Sequence, residues 1–212
     1  MAKVTNFHAY GDAILNRLGQ TKPKSPDAVA VPASVLPALQ NYAKVHEKYA
    51  VACAKTDKCR EKRDKALAAI GAADGKLDRG IYDLADALVG AKLGGRKNPF
   101  EGLSPHAPYA MTKLNYADTA PAVRKLVAAV LAKGPAADVA KLAGHLLTWA
   151  DELDTARGGL DAPQTEFAAE MGKRDAMLPD WQKALNALKA FAKAGWIDEP
   201  ATYKAVFAIV IK

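Results

Sequence analysis

The stretch SVLPALQNYAKVHEKYAVACAKTDKCREKRDKALAAIGAADGKLDRGIYDLADALVGAKL, residues 34–93, decides the fold of this chain. Two columns of side chains recur in it every seven residues. One runs Val35, Tyr42, Tyr49, Thr56, Arg63, Ile70, Leu77, Leu84, and the other Leu39, His46, Cys53, Arg60, Leu67, Asp74, Ile81, Leu88. Two columns held four and three residues apart make one seam of a packed helix. Ser34 supplies an N-cap, and Pro37 falls in the first turn, where its missing amide proton has no helical partner to lose. The period predicts a helix of about 60 residues, on the order of 90 Å long at the usual rise per residue, or two helices broken at AADG. Its weakest point is AADG at 72–75, and Gly94-Gly95 is the expected stop.

Outward toward the C-terminus, residues 96–117 hold three prolines and no clear period, which predicts an irregular connection over about 94–117. A short helix is expected at 118–133, capped by Asp118 or Thr119 and stopped at Gly134. From Pro135 the seam returns. Leu142, Trp149, Ala156, Pro163, Glu170, Met177, Ala184 and Phe191 form one column; Leu146, Leu153, Leu160, Phe167, Arg174, Trp181 and Leu188 form the other. Gly158-Gly159 followed by DAPQ predicts a stop and a capped restart, and Pro179 a second restart or kink. Gly195 closes the segment, Asp198-Glu199-Pro200 caps a last short helix, and an apolar tail occupies 199–212. Toward the N-terminus, residues 6–19 form a short helix ending at Gly19, and QTKPKSPDAVAVPA at 20–33 reads as a Pro-rich linker.

The organisation expected is therefore an N-terminal arm over 1–33 and a helical bundle over 34–212, with long segments at about 34–93 and 136–194. The fold class is all-α: an elongated helical bundle with two long antiparallel coiled-coil-like segments. The two segments share a pattern without residue-by-residue identity. Composition agrees. A chain of 212 residues fits one domain, its 50% apolar content is alanine-rich, and 7% aromatic residues leave little for a β-sandwich to pack with.

A formal charge of +7 permits an acidic partner without demanding one. Cys53 and Cys59 stand six apart, about 240° around a helix, so they cannot bridge locally. Reduced thiols and a cytoplasmic location are the expectation. Met1 to Tyr10 does not resemble a secretory signal, and no apolar run reaches the roughly 18 residues of a membrane span.

The search for chemistry returns no catalytic, cofactor-binding or metal-binding residue. His8, His46, His106 and His145 are scattered, with no Glu-x-x-His, His-Glu-x-x-His or Cys-x-x-Cys. His46, between Tyr42 and Tyr49, and His145, near Trp149, read as hydrogen-bonded core histidines. GAKLGGRK at 90–97 lacks the Gly-Lys-Ser/Thr end of a phosphate loop and follows a helix. Asn98-Pro99-Phe100 matches an adaptor-binding tripeptide too short to carry information. No nucleophile, base and orienter assemble from the sequence, so an enzyme is not expected.

Three groups remain. Arg60, Arg63, Glu166, Glu170 and Arg174 interrupt the two seams. If the segments pack antiparallel, positions adding to about 229 face each other, which sets Arg60 against Glu170 and Arg63 against Glu166. A buried polar layer that fixes register is the favoured reading over an internal polar site. Lys44, Lys48, Lys55, Lys58, Lys62 and Lys65 fall on two adjacent stripes that would track a polyanion. The alternative, favoured here, is a solvated face laced by Lys44–Glu47, Asp57–Arg60 and Glu61–Lys65. Two partner-docking segments stand out: the connection, with Arg96, Phe100, Tyr109 and Tyr116, and the tail, with Phe207, Ile209 and Ile211.

The function expected is that of a non-enzymatic structural or adaptor protein, acting through helix surfaces and self-associating with a protein partner or a second copy. Nucleic-acid binding through the lysine face of residues 44–65 is the alternative, and reversible membrane action a further one. No small-molecule substrate is identified.

Overall fold

The computed structural model describes residues 6–20 and 28–208. All regular elements among them are helices: α1 (Phe7–Arg17), α2 (Leu36–Gly90), α3 (Pro108–Met111), α4 (Tyr116–Leu131), α5 (Ala137–Gly158), α6 (Asp161–Ala176), α7 (Leu178–Gly195) and α8 (Pro200–Phe207). The fold is all-α, with α2 and the bent run α5–α6–α7 as its two long segments. Residues 28–33, the described part of the expected linker, carry no helix or strand.

The 55 residues of α2 run unbroken through Ala72–Gly75, where alanines offset the helix cost of Gly71 and Gly75. Its end differs from the expected one. Lys92 takes the left-handed conformation (φ 58°), and the amide of Leu93 donates back to the carbonyl of Leu88 at 2.9 Å. A lysine thus closes the helix before Gly94-Gly95 is reached. Gly94 serves a different need, since a Cβ there would lie 2.3 Å from the carbonyl oxygen of Pro99. The second segment breaks at Gly159 and before Leu178, as the glycine pair and Pro179 predict. The N-cap of α4 is Asn115, upstream of the expected Asp118; its Oδ1 accepts from the amides of Ala117 and Asp118.

The chain divides into two compact units. The first comprises 1–59 and 167–212. Its core joins Tyr10, Ile14, Leu15 and Leu18 of α1, Leu39, Tyr42 and Tyr49 of α2, Trp181, Leu185 and Leu188 of α7, and Val206 and Phe207 of α8. α1 is therefore part of a core and not a free arm, because its i, i+4 apolar stripe has α7 and α8 to pack against. Tyr10 Oη donates to the Phe207 carbonyl at 2.8 Å, and Arg17 to the Ala205 carbonyl.

The second unit comprises 60–166. Ile70, Leu77, Ile81, Leu84 and Leu88 of α2 meet Val123, Leu126, Val127 and Val130 of α4 and Ala143, Leu146 and Leu153 of α5, with Phe100 and Met111 enclosed among them. Each fully buried leucine or isoleucine contributes about 1.5–3 kcal/mol.

Within each unit the antiparallel register lies within a few residues of the expected one. In the second, Lys62 bonds Glu166, Lys76 bonds Glu152, and Gly80 packs on Trp149. In the first, Thr56 Oγ1 donates to the Glu170 carbonyl at 3.3 Å.

The polar layer is not buried. Arg60 and Glu166 are exposed, and Arg63, Glu170 and Arg174 are half-buried. Arg63 bonds Asp64, Arg174 bonds Asp175, and Glu170 accepts from Lys173, so the charges are held by neighbours at the rim, where water shares the cost of solvating them. No residue of α6 is buried, and from Asp57 to Ala69 only Cys59 of α2 is.

Candidate functional site

The densest assembly of polar and aromatic groups lies in the first unit, around His46. It is built by three helices. α2 carries Tyr42, His46 and Tyr49 on one face at i, i+4 and i+7 spacing, α7 contributes Trp181, and α1 contributes His8 and Asp12 one turn apart. α1 approaches this closely because position 11 is glycine: a Cβ there would fall 2.2 Å from Cε1 of His46.

His46 is 2% exposed, and both ring nitrogens are engaged. The indole N–H of Trp181 donates to Nδ1 at 2.9 Å, and Nε2 lies 2.9 Å from Oδ1 of Asp12. An indole N–H only donates, so Nδ1 must present its lone pair. The neutral ring therefore carries its proton on Nε2 and donates it to Asp12. Tyr42 stacks on His46 at 5.8 Å and His8 stacks on it at 5.7 Å, while Phe7 meets Trp181 edge-on at 5.6 Å. The hydroxyl of Tyr42 is buried without a hydrogen-bond partner, and burial pushes its ionisation far above the usual phenol range.

His8, Asp12 and His46 bring three potential metal-ligand atoms within 4.8 Å of one another. The hydrogen bonds argue against that use. A metal at Nε2 would force the His46 proton onto Nδ1, where the Trp181 N–H already points. Metal-binding histidines show the reverse pattern, donating their second nitrogen to an acceptor. The arrangement is a packing lock between α1, α2 and α7.

The second unit holds two lesser features. A cavity of about 400 Å³ is lined by Ser104, His106, Asp118 and Lys125 over Leu103, Leu114 and Leu126. Ser104 Oγ accepts from the backbone amide of His106, and Asp118 from the Asn115 side chain at 2.7 Å. Among the described residues no hydrogen bond joins the Ser104, His106 and Asp118 side chains. Near Gly80, Trp149 receives Lys76 at 5.4 Å from its ring and stacks on His145 at 5.8 Å. His145 is exposed, which corrects its assignment as a core histidine: it lies on the outer flank of α5, covering Trp149 from the solvent side.

Lys44, Lys48, Lys55, Lys58, Lys62 and Lys65 are all exposed. Lys62 bonds Glu166 at 3.0 Å. The expected Lys44–Glu47 and Glu61–Lys65 pairs do not form, and Lys44, Lys48, Lys55, Lys58 and Lys65 pair with no described carboxylate. Of the docking residues, Arg96, Tyr109 and Tyr116 are exposed. Phe100 and Phe207 are not available for docking: each is enclosed in the core of its own unit, where burial of the ring outweighs any use at the surface. Ile209 and Ile211 lie outside the described residues.

No sequence pattern groups Asp12 and Trp181 with His46. His46 is 34 residues from Asp12 and 135 from Trp181, and no local pattern links positions that far apart. No family model, curated protein or solved structure matches this chain.

Proposed function

We propose that the protein is a non-enzymatic adaptor that binds through its helix surfaces, with a second copy of the chain as its first partner. The observation that supports this is the exposure of large apolar side chains at the C-terminal end of α7. In the first unit Phe191 is 54% and Ile197 75% exposed, flanking the last turn of α7. Phe191 stands beside Ala187 and Ala194 on a flank of small residues that a partner helix could approach closely. Aromatic and aliphatic anchors of this kind supply most of the energy of protein interfaces.

The test is mass by light scattering over two decades of concentration, at low and high salt. The mass should rise with concentration and persist in salt, and Phe191→Asp with Ile197→Asp should hold the protein at one chain. A single-chain mass at every concentration would remove self-association.

A second reading, polyanion binding by α2, gains support from the exposed lysines that lack a carboxylate partner. Its test is given in the Discussion.

A further inference from the structure

A groove of about 360 Å³ lies between α1 and α7 in the first unit, distinct from the Phe191 flank. Phe7, Tyr10, Trp181 and Leu185 make it apolar and aromatic, and Gln182, Asn186 and Lys189 line it from one face of α7 at i, i+4 and i+7.

Lys189 is half-buried, with Nζ 5.5 Å from the ring centre of Tyr10 and 6.0 Å from that of Phe207. No described carboxylate pairs with it, and burial pulls its ammonium below the usual lysine range. The side-chain amides of Gln182 and Asn186 make no hydrogen bond to a described residue. Among the described residues, half-buried Arg124 holds Asp151 and Asp154, half-buried Arg174 holds Asp175, and half-buried Arg17 donates to the Ala205 carbonyl. Lys189 thus sets a half-buried ammonium with no carboxylate partner beside two exposed amides and an apolar wall. An anion supplied from outside would recover the lost solvation of the ammonium, and an apolar body attached to that anion would displace water from the half-buried Phe7 at the mouth of the groove.

We propose that this groove binds a small monocarboxylate with an apolar body, the carboxylate on Lys189 and the Asn186 and Gln182 amides, and the body against Phe7, Tyr10 and Trp181. The charge selects the acid over a neutral ligand of the same shape. The groove has room for a body of one ring or a short alkyl chain. This inference does not depend on the adaptor reading.

The experiment uses phenylacetate and octanoate as probes, each against its primary amide, with binding followed by two-dimensional NMR of the full chain. The acids should shift the Trp181 indole N–H and the Gln182 and Asn186 side-chain amides. The neutral amides should bind at least about tenfold more weakly. Lys189→Met should reduce acid binding to the level of the amides, with an unchanged circular dichroism spectrum, and Lys189→Arg should retain preference for the acid. Equal binding of acid and amide, no perturbation by either acid, shifts confined to other residues, or acid binding that survives Lys189→Met would each overturn the proposal. The acid–amide comparison needs no variant, so it stands even if a substitution harms the fold.

Discussion

Trp181 and His46 meet through a single hydrogen bond, indole N–H to Nδ1 at 2.9 Å, and that bond sets which nitrogen of the histidine carries the proton. With Nδ1 occupied as an acceptor, the N–H on Nε2 points at Asp12 and draws α1 onto α2 and α7. One residue pair from the two long segments thereby positions a third helix.

Trp181→Phe keeps most of the ring and removes the donor. It leaves a buried Nδ1 unsatisfied and should cost about 1–3 kcal/mol, read as a lower urea midpoint at unchanged slope. The double variant with His46→Leu should cost less than the two single changes added, because the orphaned nitrogen is gone. Full additivity would show that the bond carries no coupling energy.

Glycines in α2 should divide by sign. Gly71→Ala and Gly75→Ala meet no heavy atom within 4 Å and should each stabilise by about 0.5–1 kcal/mol. At Gly80 a Cβ would lie 2.2 Å from the Trp149 ring, so Gly80→Ala should destabilise by about 1–3 kcal/mol despite the better helix propensity. Thermal melting of the three variants settles it; a Gly80→Ala protein as stable as the others would mean Trp149 moves freely.

Asp78 offers a pH test. Its Oδ1 is buried without a hydrogen-bond partner. Burial first, and then the Asp74 carboxylate, hold its pKa above the ordinary value, with Lys113 opposing them. A raised folded pKa means the folded chain holds the proton more tightly than the unfolded one. The resulting stability is present below the ordinary aspartate range and is lost as pH rises through the folded value. Asp78→Asn should therefore stabilise at neutral pH, by less than about 1 kcal/mol given its partial exposure. That gain should close toward acid, and a gain equal at both ends would contradict the assignment.

The thiols should be slow. Burial raises Cys53, against an opposing hydrogen bond with Tyr49, and Cys59 is buried on α2. Thiolate is the reactive form, so a colorimetric disulfide reagent at neutral pH should label neither in the native protein and both in denaturant. Rapid native labelling of Cys59 would indicate that α2 opens locally.

Lys48→Glu, Lys55→Glu and Lys58→Glu together test the lysine face, measured with labelled duplex and single strand across a salt series. If α2 binds polyanions, affinity in the wild type should fall linearly with log salt, and the triple variant should lose it. Binding that is absent, or unchanged in the variant, leaves these lysines as solvated surface.

The sequence alone was sufficient for most of the helices, though not for α3 or the start of α4, which lie inside the expected irregular connection. Period, proline, glycine and cap residues act over a few positions, and they placed α1, α2 and the breaks around α6, as well as an antiparallel register realised by Lys62–Glu166 and Lys76–Glu152. Tertiary structure decided what each stripe is used for. A heptad column states that residues share a face, but not whether another element covers it. Leu39 and Leu67 stand in the same column, yet Leu39 is buried while Leu67 is 46% exposed, because α7 backs the first and no apolar layer of α6 backs the second. Phe100 and Phe207 looked like docking residues and became core. His46, Trp181 and Asp12 were brought together only when α1 closed over the seam, since burial and hydrogen-bond partners depend on residues distant in the chain.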